Sequence, residues 1–273
     1  MPPECLTLLT DYGLDAGFVG ILHAVALRIA PALPVIDLDH SVPRHDVRLG
    51  ALRLERSMRY VPVGVHVAVV DPGVGGDRRA VAVEAGGRLF VGPDNGLLTW
   101  AVEACGGAER CVALGVERYW LPARTGTFDG RDVFVPVAAH LGLGTDLAEL
   151  GDALDPATLV GLTRPLERPL GDGSVELEVL QVDGFGNVQL SGDATTVARL
   201  GLRRGDPVEL LAGARSVGAS FGATFGDVGA GEAVLLLDSD TALALSVNRG
   251  RADLVLGSGP GATVVLRAVP ELH

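Results

Sequence analysis

Apolar and polar positions follow two rhythms along this chain, and the change of rhythm divides it. In the first 165 residues, short continuous apolar runs alternate with segments of helical spacing. Residues 6–10 (LTLLT) and 65–70 (VHVAVV) predict strands buried on both faces. Residues 17–30 carry Phe18, Ile21, Leu22, Val25 and Ile29 at helical spacing and stop at Pro31, which predicts a helix. A second strand over 35–38 follows, then a helix over 46–60, opened by Asp46 and closed before Pro62. Further strands are expected at 80–84 and 89–92, a helix over 94–104 capped by Asp94, and another over 131–141. Helices alternating with apolar strands predict an α/β N-terminal domain with a mainly parallel sheet covered on both faces.

Around 163–172 the composition shifts to Pro, Arg, Glu and Gly. We read 166–174 as a linker between an α/β domain over 1–165 and a second domain over 175–273. In the second domain the runs become short and β-like, at 175–182, 188–190, 207–211, 217–221, 233–237, 242–247 and 263–269. Gly-rich turns separate them. The expectation is a small all-β, barrel-like or sandwich domain with residues 194–202 as its only helix.

Composition narrows the chemistry. All 22 basic residues are arginine, so Schiff-base, pyridoxal-lysine and phosphate-loop-lysine mechanisms are excluded. The net charge of −12 argues against a nucleic-acid or anionic-membrane partner. It suits a cationic or zwitterionic small molecule, and solubility alone accounts for it equally well. Mean hydropathy is +0.34, yet no apolar run approaches the ~20 residues of a membrane span. The first residues show no basic-then-apolar leader. Cys5, Cys105 and Cys111 are odd in number and form no CxxC pair, as in a reduced cytoplasmic protein without a zinc site. No two histidines lie at metal-ligand spacing, and the GxSxG and HExxH patterns are absent.

Polar residues gather where the N-terminal strands end: TDYG after the first, DPGVG after 65–70, GPDNG after 89–91. Ligands of open α/β sheets sit beyond such ends. A single Asp there is an ordinary turn former; three on one sheet edge point to a site. Asp71 and Arg78 are spaced to meet across a Gly-rich loop, either as a structural ion pair or as an oriented catalytic carboxylate. TFDGRD, taken alone, is a helix start with Asp129 or Asp132 near the positive end of the dipole. VDGFGN is a hairpin turn, or a carboxylate, ring and amide facing a ligand. Spacing and composition name no reaction.

The motifs taken together do. LLTDYGLDAGFVG, IDLDHSVPRHDVRLGA, HVAVVDPGVGGDRRAVAVE, FVGPDNGLLT, TFDGRDVFVPVAAHL, VDGFGN and LLDSDTALALSVNRG resemble, in order and across nearly the whole chain, the S-adenosyl-L-methionine hydroxide adenosyltransferase family, hydrolases related to fluorinase and chlorinase. The resemblance implies an α/β domain followed by a β-barrel domain. It also implies a homotrimer, with each active site between the N-domain of one subunit and the C-domain of the next. S-adenosyl-L-methionine is then the substrate, with no metal and no other cofactor. Asp11 is expected to bind the ribose hydroxyls and Asp183 the ammonium of the methionine part. Asn187 and the backbone around Asn248 and Arg249 are expected at adenine, with Phe185 supporting that wall. Ser239 aligns with a contact to the methionine carboxylate, beside which Asp240 departs from the family pattern.

The family's hydrolytic triad is Asp, Arg and His. Asp71 and Arg78 match it. Asp129 stands where the histidine belongs, which is the main departure. Three outcomes follow: Asp129 replaces the imidazole, Asp71 and Arg78 suffice without it, or hydrolysis is weak. Orientation contributes roughly 7–11 kcal/mol at its best, whereas a general base contributes ~10²–10⁴-fold. Loss of the histidine should slow hydrolysis without abolishing it. Two carboxylates should also oppose a halide by several kcal/mol unless one is protonated. The long insertion of fluorinases is missing between Arg79 and Phe90. Hydrolysis of S-adenosyl-L-methionine to adenosine and L-methionine is therefore expected. The alternatives are a halogenase forming 5′-chloro-adenosine and a non-catalytic binder of the same nucleoside.

Overall fold

The structure, a computed structural model, describes residues 3–122 and 124–269. The chain divides into two compact units, one ending at Leu162 and one beginning at Thr163.

The first unit contains β1 (Leu6–Thr10), α1 (Phe18–Ile29), β2 (Val35–Asp39), α2 (Val47–Ser57), β3 (Val65–Val69), β4 (Ala80–Ala85), β5 (Arg88–Pro93), α3 (Thr99–Ala104), β6 (Arg110–Leu114), α4 (Val135–Gly142) and β7 (Gly151–Leu154). Its seven strands lie in the order β2-β1-β3-β5-β4-β6-β7. The pairs β1–β2, β1–β3 and β3–β5 are parallel, and β4 runs antiparallel to both β5 and β6. Because β6 is antiparallel to β4, it points the same way as β5, so only β4 and β7 oppose the common direction. β1 and β3 are buried at every position, Thr7, Thr10 and His66 included, as their mostly apolar runs lead one to expect. The core brings Leu6, Leu8, Val67 and Val91 of the sheet against Leu22 and Val25 of α1 and Phe134, Val137 and Leu141 around α4.

Helix starts differ in an instructive way. Asp46 caps α2 as expected, accepting from Leu49 N at 2.9 Å. Asp94 caps nothing. α3 begins only at Thr99, because Asp94, buried, accepts from Arg79 Nε (2.7 Å) and from Val160 N (2.8 Å). The expected helix over 131–141 begins instead as one turn of π-helix, Gly130–Phe134, before α4 proper. Such turns are rare and concentrate at functional sites.

The second unit contains β8 (Glu167–Pro169), β9 (Val175–Val182), β10 (Val188–Asp193), α5 (Ala194–Leu200), β11 (Pro207–Ala212), β12 (Arg215–Phe221), β13 (Ala233–Leu237), β14 (Ala242–Val247), α6 (Ala252–Leu256) and β15 (Thr263–Ala268). The order β10-β14-β13-β12-β11-β15-β9 closes through β9–β10 into a seven-strand barrel, with β8 added to β9. The stretch 166–174 thus carries a paired strand of its own. α5 is not the only helix here: α6 is a second, too short for a periodic signal and stopped by Gly257 in the left-handed region. Alternate residues of the strands, among them Leu177, Leu210, Leu235, Leu245 and Leu266, fill the interior.

Candidate functional site

Parallel pairing of β1 and β3 sets their carboxyl ends side by side, so Asp11 and Asp71, the polar residues just past those ends, face one cavity of about 640 Å³. Asp129, at the start of the π-turn, joins them, together with Tyr12, Phe18, Phe128 and the turn at Arg44–His45. Asp94 does not. It stabilises the loop that follows β7, so the third carboxylate of the site comes from the π-turn and not from the third strand end.

The Asp71 loop is built for close approach. Gly75 has φ +78°, and a Cβ there would lie 2.7 Å from the carbonyl oxygen of Gly126. This brings the loop after β3 against the loop that carries Asp129. Arg78 then bridges the two. Its Nε donates to Asp71 Oδ1 (3.1 Å) and Oδ2 (2.9 Å), its Nη2 to Asp71 Oδ2 (2.5 Å) and to Asp129 Oδ2 (2.6 Å). Burial alone would lower the Arg78 pKa, but its hydrogen bonds to Asp71 and Asp129 outweigh it and raise the guanidinium above its ordinary value. Arg78 also lies 5.3 Å from the Phe134 ring centre.

Asp129 is 1% exposed and caps no helix; its side chain turns to the arginines instead. A second one reaches it: Arg124 donates from Nε to Oδ1 (3.1 Å) and from Nη2 to Oδ2 (3.2 Å). This contact corrects the electrostatic argument made from sequence. Asp71 and Asp129 do not present two bare negative charges, because Arg78 and Arg124 balance them. These guanidinium donors are thereby engaged by carboxylates. Nothing in the sequence pattern singled out Arg124, which lies outside TFDGRD. Arg131 and Asp132 pair locally at 2.6 Å, with Asp132 also accepting from Thr125 N.

Asp11 accepts from His45 N at 2.9 Å, and His45 adopts φ +66°, unusual for a non-glycine residue. Tyr12, Phe18 and Phe128 pack edge-on around the cavity, with ring centres 5.2–5.9 Å apart. Burial, followed by the charges of Asp11, Asp71 and Asp129, drives the Tyr12 phenol far above its ordinary range, so it stays protonated. Each of these rings adjoins an acid or a glycine in the quoted motifs, the signal by which sequence could have found them.

The remaining predicted residues lie on the barrel, around a cavity of about 990 Å³ lined by Asp183, Phe185, Asn187, Ser239, Asp240 and Arg249 among others. Asp183 organises the β9–β10 turn: Oδ1 accepts from the backbone N–H of Phe185 and Asn187 (2.9 Å each), and Oδ2 from Asn187 Nδ2 (2.7 Å). These contacts make VDGFGN a turn, as the hairpin reading expects, and Phe185 stands 82% exposed. Asp238 holds the Ser239–Asp240 turn by accepting from Asp240 N and Ala242 N. Asn248 is outside this lining; its amide donates to the Val228 carbonyl, while Arg249 follows at φ +59°. Ser246, unremarked in the sequence, lines the cavity with a buried hydroxyl that lacks a partner among the described residues.

A carboxylate–arginine cluster at the carboxyl edge of an α/β sheet, followed on the same chain by a closed barrel with a cavity of its own, defines a two-domain class. Residues 6–151 match the SAM hydroxide adenosyltransferase N-terminal domain, and residues 177–265 match the C-terminal domain of the same family. The (R)-S-adenosyl-L-methionine hydrolase of Salinispora tropica is 48% identical, covering 95% of this chain and 96% of its own. An uncharacterized conserved protein of Thermotoga maritima superimposes with TM-score 0.89 at 33% identity, over 96% of this chain and 99% of its own. A fluorinase of Actinoplanes sp. (strain N902-109) is more distant, 26% identical over 89% of this chain and 90% of its own. The chain belongs to the SAM hydroxide adenosyltransferase family. Among the described residues, no helix is long and apolar enough to cross a membrane, and no group of three or more metal-ligating side chains forms.

Proposed function

We propose that this chain hydrolyses S-adenosyl-L-methionine to adenosine and L-methionine. The observation that carries the reading is the Asp71–Arg78–Asp129 cluster beside Asp11 at the rim of one cavity. Water attacks the ribose 5′ carbon in line with the departing sulfur. A C–O bond forms, the C–S bond breaks, and its electron pair returns to sulfur as neutral methionine thioether. The proton released by water passes to Asp71 and then to solvent. The sulfonium is its own activated leaving group, so no step calls for an acid, a metal or a second cofactor. The protein's task is to position the water and accept its proton. Arg78 orients Asp71, and Asp129 replaces the imidazole of the family triad as the other partner of Arg78. Asp11 receives the ribose hydroxyls.

The barrel residues supply the rest of the recognition: Asp183 the ammonium, Ser239 the carboxylate, Asn187 with the Asn248–Arg249 backbone the adenine, and Phe185 the adjoining wall. Asp183 Oδ1 already accepts twice in the turn, while Oδ2 accepts once and keeps a lone pair for an ammonium donor. The functional unit is a homotrimer in which one copy's Asp71 cavity is completed by the next copy's barrel. Three free cysteines support a cytoplasmic setting.

The test is incubation of the purified protein with S-adenosyl-L-methionine, with and without chloride, and chromatography of the products. Adenosine and methionine in both conditions are expected. 5′-Chloro-adenosine, or tight binding with no turnover, would overturn the reading. Light scattering should give three times the 28.1 kDa chain mass.

A further inference from the structure

Four side chains beside the proposed water site form one line of alternating charge: Arg124, Asp129, Arg78, Asp71. The two carboxylates in it are not equivalent. Asp129, essentially inaccessible, is gripped by guanidiniums from both sides, with the fork of Arg124 on both oxygens and Arg78 on one. Asp71 meets Arg78 alone among these arginines. A carboxylate held from two sides by guanidiniums is fixed in orientation. Asp129 thus anchors Arg78 from the side opposite Arg124.

We propose that Arg124 is a positioning residue of the hydrolytic site, holding Asp129 oriented so that a carboxylate can fix Arg78 where the family uses an imidazole. This rests on the hydrolase reading above. Charge balance supports it. An Asp–Arg pair with a neutral histidine sums to zero; exchanging that histidine for a carboxylate leaves one negative charge too many; Arg124 returns the sum to zero. Geometry supports it independently. The Arg124 guanidinium is seated 5.0 Å from the Trp120 ring centre, as Arg78 is seated on Phe134, so it does not sweep freely through solvent. The other charged or titratable groups around the cluster are Asp11 and Tyr12 after β1, Arg44 and His45 before α2, and the Arg131–Asp132 pair of the π-turn. Among the described residues, Asp129 accepts side-chain hydrogen bonds from Arg78 and Arg124.

The experiment compares wild type, Arg124→Gln and Arg124→Lys. It measures kcat and KM for S-adenosyl-L-methionine, thermal melting, and the crystal structures of the variants. Arg124→Gln should lower kcat roughly 10–10²-fold, as for a misplaced catalytic group, with KM changed less than about threefold. Arg124→Lys, a charge without the planar fork, should recover only part of kcat. Unchanged kcat in Arg124→Gln, or a change in KM alone, overturns the proposal. Should Arg124→Gln fail to fold, full wild-type kcat in Arg124→Lys overturns it. If wild type releases no adenosine, the hydrolase reading falls by itself. Crystal structures then decide: Asp129 and Arg78 unmoved in Arg124→Gln remove the role.

Discussion

Replacing Asp71 by asparagine separates proton acceptance from architecture. The side chain keeps its volume and one carbonyl oxygen toward Arg78, and loses its charge. In the folded protein the Asp71 carboxylate is 5% exposed and takes three contacts from Arg78, of 2.5–3.1 Å. A hydrogen bond to a charged group contributes about 1.5–3 kcal/mol to stability. Here the loss falls toward the lower end, because Arg78 retains Asp129 at 2.6 Å. The cost to catalysis is larger. Without a general base the rate should fall ~10²–10⁴-fold, which at about 1.36 kcal/mol per decade is about 2.7–5.5 kcal/mol of barrier. Binding should survive, since Asp11 and the barrel residues carry recognition in this mechanism. The assay is single-turnover adenosine formation from S-adenosyl-L-methionine, with calorimetric titration for affinity and a melting curve for folding. A folded Asp71→Asn with kcat within threefold of wild type would show that the water's proton goes elsewhere. A variant that loses affinity and rate together would show that Asp71 binds substrate and is not the acceptor.

How much of this site sequence could reveal depended on whether the signal was local. β1 and β3 were plain because a strand buried on both faces must be apolar throughout, and LTLLT and VHVAV are nearly so. α2 was plain because Asp46 and the apolar stripe agree. β6 and β7 escaped: β7, GDAL, is half polar and partly solvated at the sheet edge, and β6 begins with an exposed arginine. Asp94 looked like a cap because Asp before a helix usually is one, and only the fold shows Arg79 claiming it. The same holds at Asp129, where a local reading gives a helix start and the resemblance gives a substituted histidine. What neutralises it is Arg124, five positions upstream, and Arg78, fifty-one positions upstream. Pairings across loops leave no periodicity to detect. The substitution made chemical sense only once its neighbours were in place.

Asp11→Ala should raise KM roughly 10–10²-fold with kcat little changed, the loss of one charge-assisted hydrogen bond; steady-state kinetics check it, and a fall confined to kcat would refute ribose binding. Gly130→Ala places a Cβ against the Tyr12 hydroxyl, whose ring is packed between Phe18 and Phe128. The strain should cost about 1–3 kcal/mol in urea unfolding, and a neutral result would mean that the aromatic cluster yields freely. The last prediction concerns acid. His66 is fully buried on β3, with Nδ1 2.9 Å from Thr7 Oγ1 and its ring 5.2 Å from Phe90. Burial, reinforced by Arg88, lowers its pKa from 6.5 to about 4. The unfolded chain therefore takes up this proton at a higher pH than the folded one. Stability from this group is complete above pH 6.5 and is lost as pH falls toward 4. At about 1.36 kcal/mol per pH unit the total is about 3 kcal/mol. Urea unfolding of wild type and His66→Gln from pH 4 to 8 isolates it, since the other acids titrate alike in both proteins. The stability difference between the two should shrink steadily below pH 6.5. A difference that stays constant over that range would mean that His66 is protonated inside the fold, and the neutral, desolvated imidazole would have to be abandoned.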